Sequence, residues 1–259
     1  MNRFSVIALI LSILCSSAFA QEQVGEEASS KEDKSASSAN VAPGQWKFVH
    51  LFYFKFKPDV SEEEIAGLMK ELAGLKAKIP ELQEMVVGNN VAPHTHGFQY
   101  GQISVFDKPE DLEVYEKHPE HQKLVRKIGP KLVHGVSVDF VPLVAADPAK
   151  SKSGKLDLQG KFIHAFSFKF KPDAPEEKVG QLMQELADSS EKIPFVHKFV
   201  VGKNVARNHH GFQFGEIAVL DDRESERKYQ QHPEHKRLVP QIIPHMQMGL
   251  TFDFVPIQP

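Results

Sequence analysis

The chain has 259 residues, 41% apolar and 25% charged, with a formal net charge of −3. That length allows one large domain or two ordinary ones with a real core. The near-neutral charge with no basic stripe speaks against nucleic acid as a partner.

In chain order, Met1-Asn2-Arg3, the apolar run from Phe4 to Leu14 and Ala18-Phe19-Ala20 form a secretory signal peptide over residues 1–20. The run is too short for a membrane span, and no later stretch reaches that length, so an exported protein is expected, periplasmic or extracellular. A lipid-anchor reading ending at Cys15 is disfavoured by the bulk of Leu14 before it. Cleavage after Ala20 removes the only cysteine and shifts the net charge to −4, leaving packing rather than disulfides to stabilise the product. Residues 21–45 are rich in Ser, Ala, Glu and Lys and lack aromatic residues, which predicts a disordered linker.

From residue 46 the chain is written twice. FVHLFYFKFKPD at 48–59 returns as FIHAFSFKFKPD at 162–173, and YEKHPEHQKLV at 115–125 returns as YQQHPEHKRLV at 229–239. The 114-residue shift also maps Gly88 to Gly202, His96-Gly97-Phe98-Gln99 to His210-Gly211-Phe212-Gln213, and DFVP at 139–142 to 253–256. A period of that size is a whole small domain. Two domains follow, 46–143 and 160–258, joined by a Pro/Gly/Ser/Lys linker at 144–159.

Within a repeat, Phe48, His50, Phe52, Phe54 and Phe56 alternate with Lys47, Lys55 and Lys57, predicting a strand with one aromatic face. The lysines are expected on a solvated or inter-repeat face. Ser61-x-x-Glu64 is a capping box opening a helix with Ile65, Leu68, Met69, Leu72 and Leu75 at helical spacing. Pro80 closes that helix. Two strands at 82–91 and 97–107 flank an Asn/His/Gly turn, two helical pieces meet at Pro119, and a last strand covers 132–142. The order β-α-β-β-α-β predicts an α+β fold of tandem ferredoxin-like units. Helices cover one face of each sheet, so the bare faces should pack together as an intramolecular dimeric α/β barrel, repeat 1 against repeat 2.

Candidate chemistry centres on the repeated histidines and tyrosines. His50 and His164 point into the aromatic face, where a buried imidazole needs a hydrogen-bond partner. Pro119 suits the first position of a helix, making His118 cap-like and turning His121 toward the core. The helix N-terminus disfavours an imidazolium there. Tyr115, one turn before His118, can donate a proton or hold an oxyanion. The same roles fall on Tyr229 and His235. A core in which these groups only satisfy one another is the plain structural reading.

A third reading is a three-histidine metal site on His50, His118 and His121, but no Cys or HExxH pattern supports it, and neither a metal nor a cofactor is expected. His94-x-His96 and His209-His210 sit on a predicted turn and suit a solvated loop.

H-x-F-x-F-K-F-K-P in the first strand, I-P in the middle and Y-x-x-H-P-E-H before D-F-V-P resemble the stress-responsive α/β-barrel (Dabb) family. The resemblance covers nearly all of both repeats and implies a dimeric barrel of ferredoxin-like protomers. Most members have no assigned reaction; one plant member is a cyclase that closes a linear polyketide by aldol-type condensation. Its strand-1 histidine falls on His50 and His164, its tyrosine on Tyr115 and Tyr229, and its catalytic histidine on His121 and His235. A second pocket tyrosine of that enzyme falls on Leu72 and Leu186, so the far end of any pocket differs. The expectation is a small organic ligand at the His/Tyr clusters, with a lyase- or cyclase-like enzyme using His121 and His235 as bases the alternative.

Overall fold

A computed structural model describes residues 46–93, 95–143 and 157–259. The expected signal peptide over 1–20, the expected linker over 21–45, His94 and most of the expected 144–159 linker lie outside the described residues. Among the described residues no helix is long and apolar enough to cross a membrane.

The first repeat runs β1 (Phe48–Phe56), α1 (Glu62–Ala73), β2 (Glu84–Asn89), β3 (Tyr100–Phe106), α2 (Glu110–Lys117), α3 (Pro119–Ile128) and β4 (Leu132–Phe140). The second repeats it as β5 (Phe162–Phe170), α4 (Glu176–Ser189), β6 (Lys198–Lys203), β7 (Phe214–Leu220), α5 (Arg223–Gln231), α6 (Pro233–Ile242) and β8 (Met246–Phe254). The sheets have strand orders β2-β3-β1-β4 and β6-β7-β5-β8, antiparallel throughout. This is the α+β, βαββαβ arrangement expected.

Local signals explain the element boundaries. The Ser61 hydroxyl accepts from the Glu64 amide at 3.2 Å, starting α1. Glu64 does not reach back to complete a capping box; its carboxylate pairs with Lys131 at 2.7 Å. Leu68, Met69 and Leu72 bury α1 against the helix-side face of the sheet with Phe48, Phe54 and Phe56.

Strand β1 departs from the simple aromatic/polar alternation. Lys47, Lys55 and Lys57 sit at its ends, where Lys47 pairs with Asp107 at 3.0 Å and Lys57 donates to the Pro130 carbonyl at 2.6 Å. Between them Val49, Leu51 and Tyr53 are fully buried on the opposite face. They join Ile103, Val138 and Phe140 against Ile163, Ala165, Ile217, Phe252 and Phe254 in one core shared by both sheets. Burial of this apolar area is the main force holding the repeats together. Tyr53 and Ser167, equivalent positions of the two repeats, meet across it at 3.0 Å.

The barrel closes through the strand tails. Past β4, the Leu143 amide donates to the Val201 carbonyl of β6 at 2.8 Å; past β8, Ile257 donates to Val87 of β2 at 2.9 Å. Close approach at these seams requires glycine. A Cβ on Gly88 would overlap the Phe254 ring, and one on Gly202 would overlap Phe140. Gly67, on α1, has nothing within 4 Å of its missing Cβ.

Gly88→Ala should therefore lower stability by about 1–3 kcal/mol through overpacking, whereas Gly67→Ala should raise it by about 0.5–1 kcal/mol through helix propensity. Urea unfolding of both variants checks the contrast. Equal behaviour of the two would contradict the seam.

Candidate functional site

The β1–β4 register sets Asp139 beside His50, and the β1–β3 register sets Ser104 on its other side. The three side chains share one row on the helix-facing side of the sheet. His50 Nδ1 lies 2.6 Å from Asp139 Oδ1. In the second repeat His164 and Asp253 reproduce the pair at 2.6 Å. A carboxylate on Nδ1 fixes that nitrogen as the proton donor and leaves Nε2 as the functional edge. Among the described residues Nε2 has no hydrogen-bond partner in either repeat. His50 keeps 8% and His164 5% of its surface exposed, so access to each is narrow.

Helix α2 ends at Lys117, and His118 takes an extended conformation as Pro119 begins α3. The His118 ring caps α3 by accepting from the Glu120 amide at 3.3 Å, and His232 caps α6 in the same way at 3.3 Å. The cap uses Nδ1 of His118, and among the described residues His50, His118 and His121 do not gather their ring nitrogens as a metal-ligand group. The break instead swings His121 over Tyr115, with ring centroids 4.2 Å apart, and Tyr115 lies 6.4 Å from His50. In the second repeat Tyr229 lies 4.8 Å from His235 and 6.0 Å from His164. All six residues singled out in the sequence are thus brought together as two His–Tyr–His rows.

The environments split the histidines. Burial would depress His50, but the charge and hydrogen bond of Asp139 overcome it, so its pKa is raised. His164 is pushed up to about 9, with burial again opposed by Asp253 and then by Glu216 and Glu226. His121 goes the other way, to about 4, because burial dominates over the hydrogen bond its Nδ1 makes to the Glu116 carbonyl at 3.1 Å. His235 is likewise lowered to about 4, chiefly by burial. Burial pushes both tyrosines up, so they stay protonated. Each row therefore sets a histidine shifted toward its protonated form and a phenol beside a histidine shifted toward its neutral form.

Several contributors were not singled out from sequence. Gln102 Nε2 donates to the Tyr115 hydroxyl at 3.1 Å, while at the equivalent position Glu216 accepts from Tyr229 at 2.9 Å. Asp139 and Asp253 were visible only as part of the DFVP motif. Asn204 holds the first site from the second repeat: its Oδ1 accepts from the Asp139 amide at 2.9 Å, and the neighbouring Val205 amide donates to the Asp139 carbonyl at 2.7 Å. Asn90 and Val91 hold Asp253 in the same way, at 3.1 and 2.8 Å. The signal that could have found them was the 114-residue alignment, which pairs Asn90 with Asn204 and Gln102 with Glu216.

Elsewhere, Leu72 and Leu186 are buried in the helix-side cores, so hydrocarbon fills their positions. His96 and His210 adopt positive φ, 48° and 47°, at the tight turns before Gly97 and Gly211. His210 packs edge-on against His134 at 4.8 Å. A hollow of about 500 Å³ opens between α1 and α3, lined by Glu64, Glu71, Arg126 and Lys131, away from both histidine rows.

Residues 48–142 and 163–256 each match the stress responsive A/B barrel domain. A stress-response A/B barrel domain-containing protein of Arabidopsis thaliana is 24% identical over 175 residues, 67% of this chain and 64% of that protein, so the match spans under two thirds of that relative. Among solved structures, a candidate monooxygenase from Fusobacterium nucleatum aligns with TM-score 0.62 at 10% identity, covering 82% of this chain and 93% of that one. An anthrone oxidase-like protein aligns with TM-score 0.56 at 14% identity, covering 84% and 94%. Both alignments span most of this chain, and at these identities they speak for the fold alone.

Asp139→Asn should lower the His50 titration midpoint, since the Asp139 carboxylate is the main group that opposes burial; histidine C2-proton shifts read this directly. His121 and His235, held near 4 against an ordinary 6.5, contribute stability that is full above about pH 6.5 and is lost as pH falls through about 4. A His121→Phe/His235→Phe double variant should flatten that limb of the stability profile by on the order of 1–2 kcal/mol per histidine. An unchanged limb would mean that the two rings are solvated.

Proposed function

We propose, for a chain that belongs to the stress responsive A/B barrel domain (Dabb) family, that each repeat binds a small organic molecule through an oxygen at its His/Tyr row. The observation that supports this is the Asp-held imidazole whose Nε2 is left without a partner among the described residues, beside a phenol and a neutral imidazole. The unpartnered Nε2 edge of His50 and the hydroxyl of Tyr115 suit a carbonyl or phenolate oxygen, and His121 suits a hydroxyl proton. His164 and His235 offer the matching groups in the second repeat, where the Tyr229 hydroxyl must first leave Glu216 to reach the ligand. On this reading residues 1–20 export the chain, residues 21–45 and 144–159 act as linkers, and the ligand is met in the periplasm or outside the cell.

A second reading has its own support. The opposite pKa shifts of His50 and His121 set an acid beside a base. In a lyase- or cyclase-like reaction His121 or His235 takes a proton from carbon next to a carbonyl. Tyr115 or Tyr229 steadies the resulting oxyanion, and His50 or His164 orients the substrate.

Titration with hydroxyaryl ketones, followed by histidine and tyrosine NMR shifts and by calorimetry, tests the binding reading. Expected is saturable binding, weakened about tenfold by Tyr115→Phe/Tyr229→Phe, the loss of one hydrogen bond to a polar ligand. Affinity unchanged in that variant and in His50→Gln/His164→Gln would reject the site. For the enzyme reading, deuterium exchange at the ketone α-carbon should fall in His121→Gln/His235→Gln while binding persists.

A further inference from the structure

The two repeats agree in fold but differ in charge at the site. Repeat 1 has Gln102 and Leu112 where repeat 2 has Glu216 and Glu226. Gln102 donates to Tyr115, so the first row holds a single imidazolium–carboxylate pair, His50 with Asp139, on the sheet. In the second row His164 faces Asp253, Glu216 and Glu226, and all three carboxylates act on it electrostatically. Glu216 is only 4% exposed and is held by the Tyr229 hydroxyl. Glu226 sits one turn before Tyr229 on α5, on the same helix face. Its carboxylate makes no hydrogen bond and no salt bridge among the described residues. His164, Glu226 and Asp253 each offer a ligand atom within 4.8 Å of the other two. Glu116 of repeat 1 also acts on His50 electrostatically, yet among the described residues only the second-repeat trio gathers three ligand atoms this closely.

We propose that the second repeat binds a divalent transition-metal ion on His164, Glu226 and Asp253, and that the first repeat does not. Carboxylates gathered about one imidazole repel one another, and a bound cation relieves that repulsion. His164 gives up its proton to solvent as the metal binds, and the neutral imidazole with two carboxylates makes a mixed nitrogen–oxygen set suited to Zn²⁺ or Mn²⁺. Metal–ligand bonds of about 2.0–2.2 Å place donor atoms roughly 3.4 Å apart. Glu226, the least buried of the three, has the most freedom to move in and close the set. Asp253 is already fixed by Asn90 and Val91 of the other repeat, which favours binding by preorganisation. Repeat 1 is a control built into the same chain: it keeps the His–Asp pair and lacks the third ligand, because Leu112 stands at the Glu226 position. This site differs from a histidine-only cluster, since two of its three donors are carboxylates. Nor does it require the organic ligand proposed above, because the metal alone is the probe.

The experiment uses the full chain, stripped with a chelator and titrated with Zn²⁺ and Mn²⁺ by calorimetry and with Co²⁺ by visible absorption. Expected is one ion per chain. Glu226→Leu, which installs the repeat 1 residue on a half-exposed helix position, should weaken binding at least thirtyfold while leaving the circular dichroism spectrum and Tm unchanged. Leu112→Glu should add a second ion to the first repeat. Absence of binding up to millimolar metal would overturn the proposal. So would binding that survives Glu226→Leu, which would point to surface histidines instead. A stoichiometry that stays at one in Leu112→Glu would overturn the ligand assignment.

Discussion

A four-stranded sheet with helices on one side has to bury its other side, and in this chain that need shapes everything else. Val49, Leu51 and Tyr53 in one sheet, and Ile163 and Ala165 in the other, are sealed only because the repeats lie face to face. The strand tails then close the edges, so that neither sheet is left with a free row of amides along those seams. The aromatic rings of Phe140 and Phe254 settle where Gly202 and Gly88 carry no side chain. Packing of this kind is what holds the two repeats together.

The same pairing reaches into the histidine rows. The carboxylate that sets the protonation of His50 belongs to repeat 1, yet the backbone carrying it is bonded to Asn204 and Val205 of repeat 2. Each site is thus assembled by one repeat and braced by the other. A buried imidazolium on an aspartate is worth keeping only if the aspartate cannot turn away, because an uncompensated charge there is costly. The bracing supplies that restraint from outside the repeat and places it on backbone groups, which have little freedom to relax. Loosening the seam would therefore be felt first as a change in the histidines, before any loss of the fold.

The fold was largely legible in the sequence because its signals are local: the Phe48-to-Phe56 alternation, the Ser61 cap, the break at Pro119 and the repeat itself. The histidine–tyrosine rows were legible for the same reason, since helix periodicity and a proline at the start of α3 suffice to turn His121 inward. What was missed depends on register. Nothing local says that Asp139 stands beside His50; only the β1–β4 pairing does. Asn90 and Asn204 look like turn residues, and their real work lies across the barrel in the other repeat. The buried face of β1 was also under-read. Lysines at both ends gave the strand a polar appearance that its middle, Val49 to Tyr53, does not share.

The covalent join between repeats has a consequence beyond holding them close. In a barrel made from two identical chains, every substitution is written into both sites at once, so a change that helps one and harms the other cannot be kept apart. Here Gln102 and Glu216 occupy the same place in the fold, and so do Leu112 and Glu226, yet each pair is free to differ. The reversed hydrogen bond at Tyr115 and Tyr229 is one product of that freedom. Fusion therefore breaks the symmetry of the barrel while leaving its architecture intact, and lets one scaffold carry two sites of opposite polarity.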